Sequence, residues 1–223
     1  MNKIALFCLS VLTPALLPAP LLAHPHIFVD TGLRLEVDAA GRLQAVEVTW
    51  AYDDFYSLLI FEDLMLDSDF DGALTADELA RLQGFDLNWS PGFEGDLYAM
   101  AGEETLTLGP PQHLSTEVAD GIITTRHRRS VRAPEAAAGD ETGVPAGGVT
   151  LRPYDPTYYT AYDVSRGVEV TGPCTALTRA PDLDQAYTLV EELLYSMPSS
   201  QAEDAYPEVG AAFATTVMLD CDA

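Results

Sequence analysis

Apolar and polar residues alternate with the period of two that a half-buried strand requires from Ile27 onward. Leu33, Leu35 and Val37 fall on one side, Arg34 and Glu36 on the other. Asp38-Ala39-Ala40-Gly41 reads as a hairpin turn. Val46, Val48, Trp50 and Tyr52 then alternate with Glu47, Thr49 and Ala51 in a return strand. The period changes after Tyr52. Asp53 or Asp54 can cap a helix carrying Phe55, Leu58, Leu59, Phe61 and Leu66, and a second helix through Leu79 and Leu82 ends at Gly84.

Further short strands are expected near residues 97–100, 105–108, 116–118, 122–131, 149–154, 158–164 and 168–171. A late helix should begin between Pro181 and Asp184, run through Leu189, Val190, Leu193 and Leu194 to Met197, and stop at Pro198. The fold class that follows is α+β, a mostly antiparallel β-sandwich with an inserted EF-hand-like helix-loop-helix over 53–84 and a C-terminal helix. Residues 133–148, rich in Ala, Gly and Pro, read as a flexible loop.

Residues 1–23 have the form of a signal peptide: Lys3, an apolar run over 4–22 broken by Pro14, Pro18 and Pro20, and small Ala23 before a polar start. The mature chain, 24–223, is then expected to be one periplasmic domain without a membrane span. A formal net charge of −24 argues against nucleic acid and anionic lipid as partners, since such a surface repels phosphate and gathers cations. Cys8 leaves with the leader. Cys174 and Cys221 remain, an even count that in an exported chain suggests a disulfide, with two thiols holding a soft metal as the alternative.

Residues 67–78 read Asp-Ser-Asp-Phe-Asp-Gly-Ala-Leu-Thr-Ala-Asp-Glu, the pattern of an EF-hand calcium loop. Asp67, Asp69 and Asp71 occupy the first, third and fifth positions, and Gly72 allows the sharp turn at the sixth. The Ala73 carbonyl, Thr75 and Glu78 complete a shell of hard oxygen ligands, Glu78 through both carboxylate oxygens. EF hands usually pair, and this one is single, so the expected role is structural.

Cleavage after Ala23 would expose His24-Pro25-His26. The new α-amine and the His24 ring could chelate one nickel, cobalt, zinc or copper ion, with His26 on the same face of an extended segment. Pro25 lacks the amide hydrogen that square-planar amino-terminal copper and nickel sites use. A complete site needs a further ligand, and the remaining histidines are His113 and His127. Arg126, Arg128, Arg129 and Arg132 could bind an anion or pair across a sheet, and the tyrosines at 154, 158, 159 and 162 could line a ligand face or pack in the core.

His24-Pro25-His26-Ile27-Phe28-Val29-Asp30, Val48-Thr49-Trp50, Asp54-Phe55-Tyr56-Ser57, the Asp-rich loop and Tyr154-Asp155-Pro156-Thr157-Tyr158-Tyr159 together resemble one bacterial family. It is a domain-of-unknown-function family described as the periplasmic component of an uncharacterised ABC-type transport system, often encoded beside nickel/cobalt-type transporters. The resemblance implies an accessory role in transition-metal transport beside a membrane metal transporter. The alternatives are a calcium-stabilised structural or adhesion module and a copper enzyme with an N-terminal histidine brace. An enzyme is the lesser expectation: the chain has no Gly-x-Ser-x-Gly elbow, His-Glu-x-x-His helix or phosphate loop.

Overall fold

The computed structural model describes residues 25–137, 139, 142–196 and 207–221. The expected signal peptide 1–23 and His24 lie outside the described residues. β1 (Ile27–Val37) and β2 (Arg42–Tyr52) form the expected antiparallel hairpin, with Leu33 opposite Val48 and Leu35 opposite Val46. Asp38 shapes its turn by accepting from the amides of Ala40 and Arg42, while Gly41 takes a left-handed φ of 72°. Leu43, Val46, Val48 and Trp50 of β2 are all buried.

The chain continues through α1 (Asp54–Asp63), α2 (Ala76–Leu82), β3 (Leu97–Ala101), β4 (Glu104–Thr105), β5 (Thr107–Leu108), β6 (Gln112–Ala119) and β7 (Ile122–Arg132). After β8 (Val144–Pro145) come β9 (Val149–Pro153), β10 (Thr160–Asp163), β11 (Val168–Thr171), β12 (Cys174–Arg179), α3 (Leu183–Ser196) and β13 (Thr216–Cys221). Among the described residues one sheet runs β10-β1-β2-β7-β5, with β11 beside β1, β6 beside β7 and β8 beside β2. A second runs β12-β13-β9-β3-β4. Both feed one apolar cluster, Leu35, Val46 and Ile123 from the first and Leu97, Leu151 and Leu219 from the second. The protein is thus a mostly β, α+β chain.

The pairing is mostly antiparallel, as the alternation suggested, and throughout the second sheet, but the first sheet is mixed. β10 and β11 both run parallel to β1, a direction that side-chain alternation cannot encode. The stretch 133–148 is not loop throughout: Val144 and Pro145 pair with β2, and Val144 and Ala146 are buried. In α1 the buried residues are Ser57 and Phe61, while Phe55 and Leu58 are exposed.

The arginines of β7 serve the sheet. Arg126 pairs with the buried Glu47 of β2, and Arg128 grips Glu36 of β1 through two nitrogens, the shortest contact 2.8 Å. Arg129 points the other way, into the interior. Its guanidinium donates to the carbonyls of Gly109, Glu94 and Leu108 at 2.8, 2.6 and 3.1 Å and lies 4.9 Å from the Trp89 ring. Burial pushes it down to about 10, still charged at neutral pH.

Cys174 and Cys221 face one another across β12 and β13 and form a disulfide. The bridge closes a 47-residue segment containing α3, whose Ala186 and Val190 pack on Val209 and Phe213 in a separate small cluster. A loop of that length should stabilise the fold by roughly 4 kcal/mol in the chain-entropy model. Replacing both cysteines by serine should lower the unfolding free energy by up to about that amount. Denaturant unfolding with and without reductant checks it: reductant should destabilise the parent protein and leave the double variant unchanged.

Candidate functional site

Asp53 starts the helix-loop-helix. One of its oxygens accepts from the Tyr56 amide at 2.7 Å, capping α1, and the other from the Phe28 amide of β1 at 2.7 Å. Ser57 accepts from the Ile123 amide at 3.1 Å, tying α1 to β7. After α1 the chain turns through Met65 and Asp67, both at φ 50°, and Leu66 drops into the core.

The loop then folds back on Asp67. Its carboxylate accepts from the amides of Asp71 and Gly72 at 3.0 and 3.2 Å, and Asp71 accepts from Ala73 at 2.9 Å. Gly72 has the left-handed φ of 78° that its position in the loop pattern requires. One carboxylate oxygen each from Asp67, Asp69 and Asp71 lies within 4.8 Å of the others. Leu74, next along, packs against the main core. Thr75 caps α2 in a reciprocal box: its hydroxyl accepts from the Glu78 amide at 3.3 Å, and Glu78 accepts from the Thr75 amide and hydroxyl at 2.9 and 2.8 Å.

The Thr75 amide and hydroxyl hold the Glu78 carboxyl below its usual range, and the Asp67 and Ser68 amides add to the effect. Glu78 therefore faces the start of the loop, although it is not part of the three-carboxylate group. The donors are hard oxygens, which suit calcium and not a soft ion. Arg81 of α2 reaches back to the Leu64 and Met65 carbonyls at 3.0 and 3.1 Å, joining the far side of the loop to the end of α1.

Among the described residues no histidine joins the carboxylate group of the loop. His26 donates its amide to the Tyr159 carbonyl at 2.8 Å and lays its ring 4.8 Å from the Tyr159 ring. His113 and His127 are cross-strand neighbours on β6 and β7 with opposite settings. His113 is exposed and meets the Thr116 hydroxyl at 3.0 Å. His127 is fully buried, 4.7 Å from the Trp50 ring and 5.7 Å from that of Trp89. Burial, with Arg129 nearby, pushes His127 down to about 3, so it is neutral at physiological pH.

Two acidic residues escaped the sequence reading. Asp86, in the segment after α2, accepts from the Tyr52 hydroxyl at 2.9 Å and the Thr125 hydroxyl at 2.6 Å through one oxygen. Asp96, just before β3, accepts from the Tyr162 hydroxyl at 2.9 Å. Burial drives the Asp96 carboxyl up to about 7 against the lowering effect of that hydrogen bond. The signal available was the aromatic density of residues 85–93, with Phe85, Trp89 and Phe93 around a single Asp.

Asp96 binds a proton more tightly folded than unfolded, so its contribution to stability is full below pH 4 and is lost as pH rises towards 7. His127 has the opposite sign: protonation of the unfolded chain weakens the fold as pH falls from about 6.5 towards 3. Asp96→Asn retains an acceptor for Tyr162 and removes the first effect. Between pH 5 and pH 8 the variant should gain roughly 2–3 kcal/mol relative to the parent. Urea unfolding at the two pH values reads this directly.

No curated protein matches the chain. Residues 9–221 match the family described as a protein of unknown function, DUF1007, and the chain belongs to that family.

Proposed function

We propose that this is an exported, calcium-braced accessory protein of a transition-metal transport system, its two sheets packed as a sandwich. The observation that carries the calcium part is the loop geometry: three carboxylate oxygens within 4.8 Å, Gly72 at the turn, and Glu78 held by Thr75 across the opening. Asp67, Asp69, Asp71, the Ala73 carbonyl, Thr75 and Glu78 would hold the ion. The ion would supply charge compensation for a loop that otherwise concentrates carboxylates in a chain of net charge −24.

Export is supported by the apolar leader and by the disulfide, which persists in oxidising compartments. The transport role is supported by the residue pattern that resembles periplasmic transport components and by His24 and His26 as candidate donors to nickel, cobalt, zinc or copper. An outer face of α1 and its loop with Phe55, Leu58, Met65 and Phe70 exposed is the surface a partner would need.

Calcium at a hundred-fold excess over its Kd should stabilise the mature protein by about 2.7 kcal/mol, or roughly 5–10 °C in Tm. Glu78→Gln should abolish that shift while leaving the fold intact without calcium. Calorimetry that finds no calcium-dependent shift in the parent protein would overturn the brace. Separately, nickel, cobalt, zinc and copper are titrated against the mature protein with its N-terminus verified by mass spectrometry. One ion should bind, and the double variant His24→Ala/His26→Ala should lose at least ten-fold in affinity; unchanged affinity removes the amino-terminal site.

A further inference from the structure

We propose that the aromatic cavity between α1, β2 and the segment after α2 binds a small organic ammonium cation, with Asp86 as its counter-ion. The cavity encloses about 320 Å³, and Trp50, Tyr52, Tyr56, Phe85, Phe93 and Tyr162 supply six rings to its wall. Neighbouring rings stand 5.1 Å (Tyr52 to Tyr56), 5.8 Å (Tyr52 to Phe85) and 5.8 Å (Trp50 to Tyr162) apart. They come from β2, α1, the loop 83–96 and β10, so the folded chain assembles them.

Asp86 is the charged residue of this lining. Its Oδ2 is saturated by Tyr52 and Thr125, whereas its Oδ1 is buried and has no hydrogen-bond partner among the described residues. With no cation paired to it among these residues, the carboxylate presents an uncompensated charge at the wall that a cation in the cavity would offset at short range. No arginine forms an ion pair with Asp86 among the described residues. Arg129 is engaged by three carbonyls and the Trp89 face, and His127 is neutral.

The lining selects the class of ligand. Ring faces attract a cation through their quadrupoles, most strongly where water is excluded. A metal ion would need several oxygen or nitrogen donors, and the wall offers one carboxylate among aromatic faces. A sugar would need polar partners for many hydroxyls, and beyond Asp86 and the tyrosine hydroxyls the lining supplies only the Trp50 indole N–H and Thr160. Burial and Asp86 raise the Tyr52 hydroxyl well above its ordinary range, so it stays a donor and adds no charge. A methylated ammonium head, apolar on its surface and positively charged, matches both the rings and the carboxylate. This inference is independent of the calcium reading, since no loop carboxylate lines the cavity.

The test titrates the mature protein, with calcium present, with choline and with its neutral carbon isostere 3,3-dimethyl-1-butanol, following tryptophan fluorescence and calorimetric heat. Choline should saturate at one site with a Kd at least ten-fold below that of the isostere. Asp86→Asn should weaken choline at least ten-fold while leaving the isostere unchanged. Phe93→Ala removes a rim ring that is 42% exposed, and should weaken choline several-fold without lowering Tm. Absence of saturable choline binding, equal binding of the isostere, or full affinity in a folded Asp86→Asn protein would each overturn the proposal. If Asp86→Asn does not fold, Phe93→Ala decides: unchanged choline affinity refutes the site.

Discussion

Burial of β2 is the constraint on which the rest of the structure depends. It lies between β1 and β7, and residues 45–48 and 50–52 are all buried. A strand covered on both faces accepts a charged residue only with a partner, and Glu47 sits there. Arg126 from β7 pairs with it, and Arg34 of β1 approaches it at 3.7 Å. The same strand delivers Asp53 to the head of α1, so the helix-loop-helix is placed by the central strand itself.

Charge is distributed in an unusual way. The chain has a single lysine, Lys3, against ten arginines. Several arginines act as clamps on backbone carbonyls: Arg42 on Thr142 and Gly143, Arg81 on Leu64 and Met65, Arg129 on three carbonyls, and Arg152 on Ala211. A planar fork with five donors can hold two or three acceptors at once, which an ammonium on a flexible stem does less well. These arginines thereby serve as joints between segments, Arg129 in the interior and the others nearer the surface.

The hairpin, the two helices around the acidic loop and most strands were legible because each declares itself locally. Alternation marks β1, β2 and β7, Asp53 marks the start of α1, and Gly72 marks the turn. What remained hidden depends on which segments meet. Nothing local says that β10 and β11 lie parallel to β1, that the C-terminal residues return as β13 beside β9, or that His127 points into the core while its neighbour His113 stays outside. Residues 174–179 escaped for a related reason: β12 buries Cys174 but exposes Leu177, so its alternation is weak. The pocket around Asp86 was the least legible feature, since its rings come from four segments and its one carboxylate resembles any other in an acidic chain.

The acidic loop and the aromatic cavity are nevertheless mechanically related. α1, which precedes the loop, contributes Tyr56 and Ile60 to the cavity wall, and the segment that follows α2 contributes Phe85, Asp86 and Phe93. Residues 67–78 therefore join two walls of one pocket, with Arg81 a second strap between them. Gln83 and Gly84 fix the exit of α2 to Thr116 of β6 at 2.9 and 3.2 Å, and Ser57 fixes α1 to β7. Both flanks of the loop are thus anchored to adjacent strands, and those anchors, with the Arg81 strap, place the two helices against the cavity.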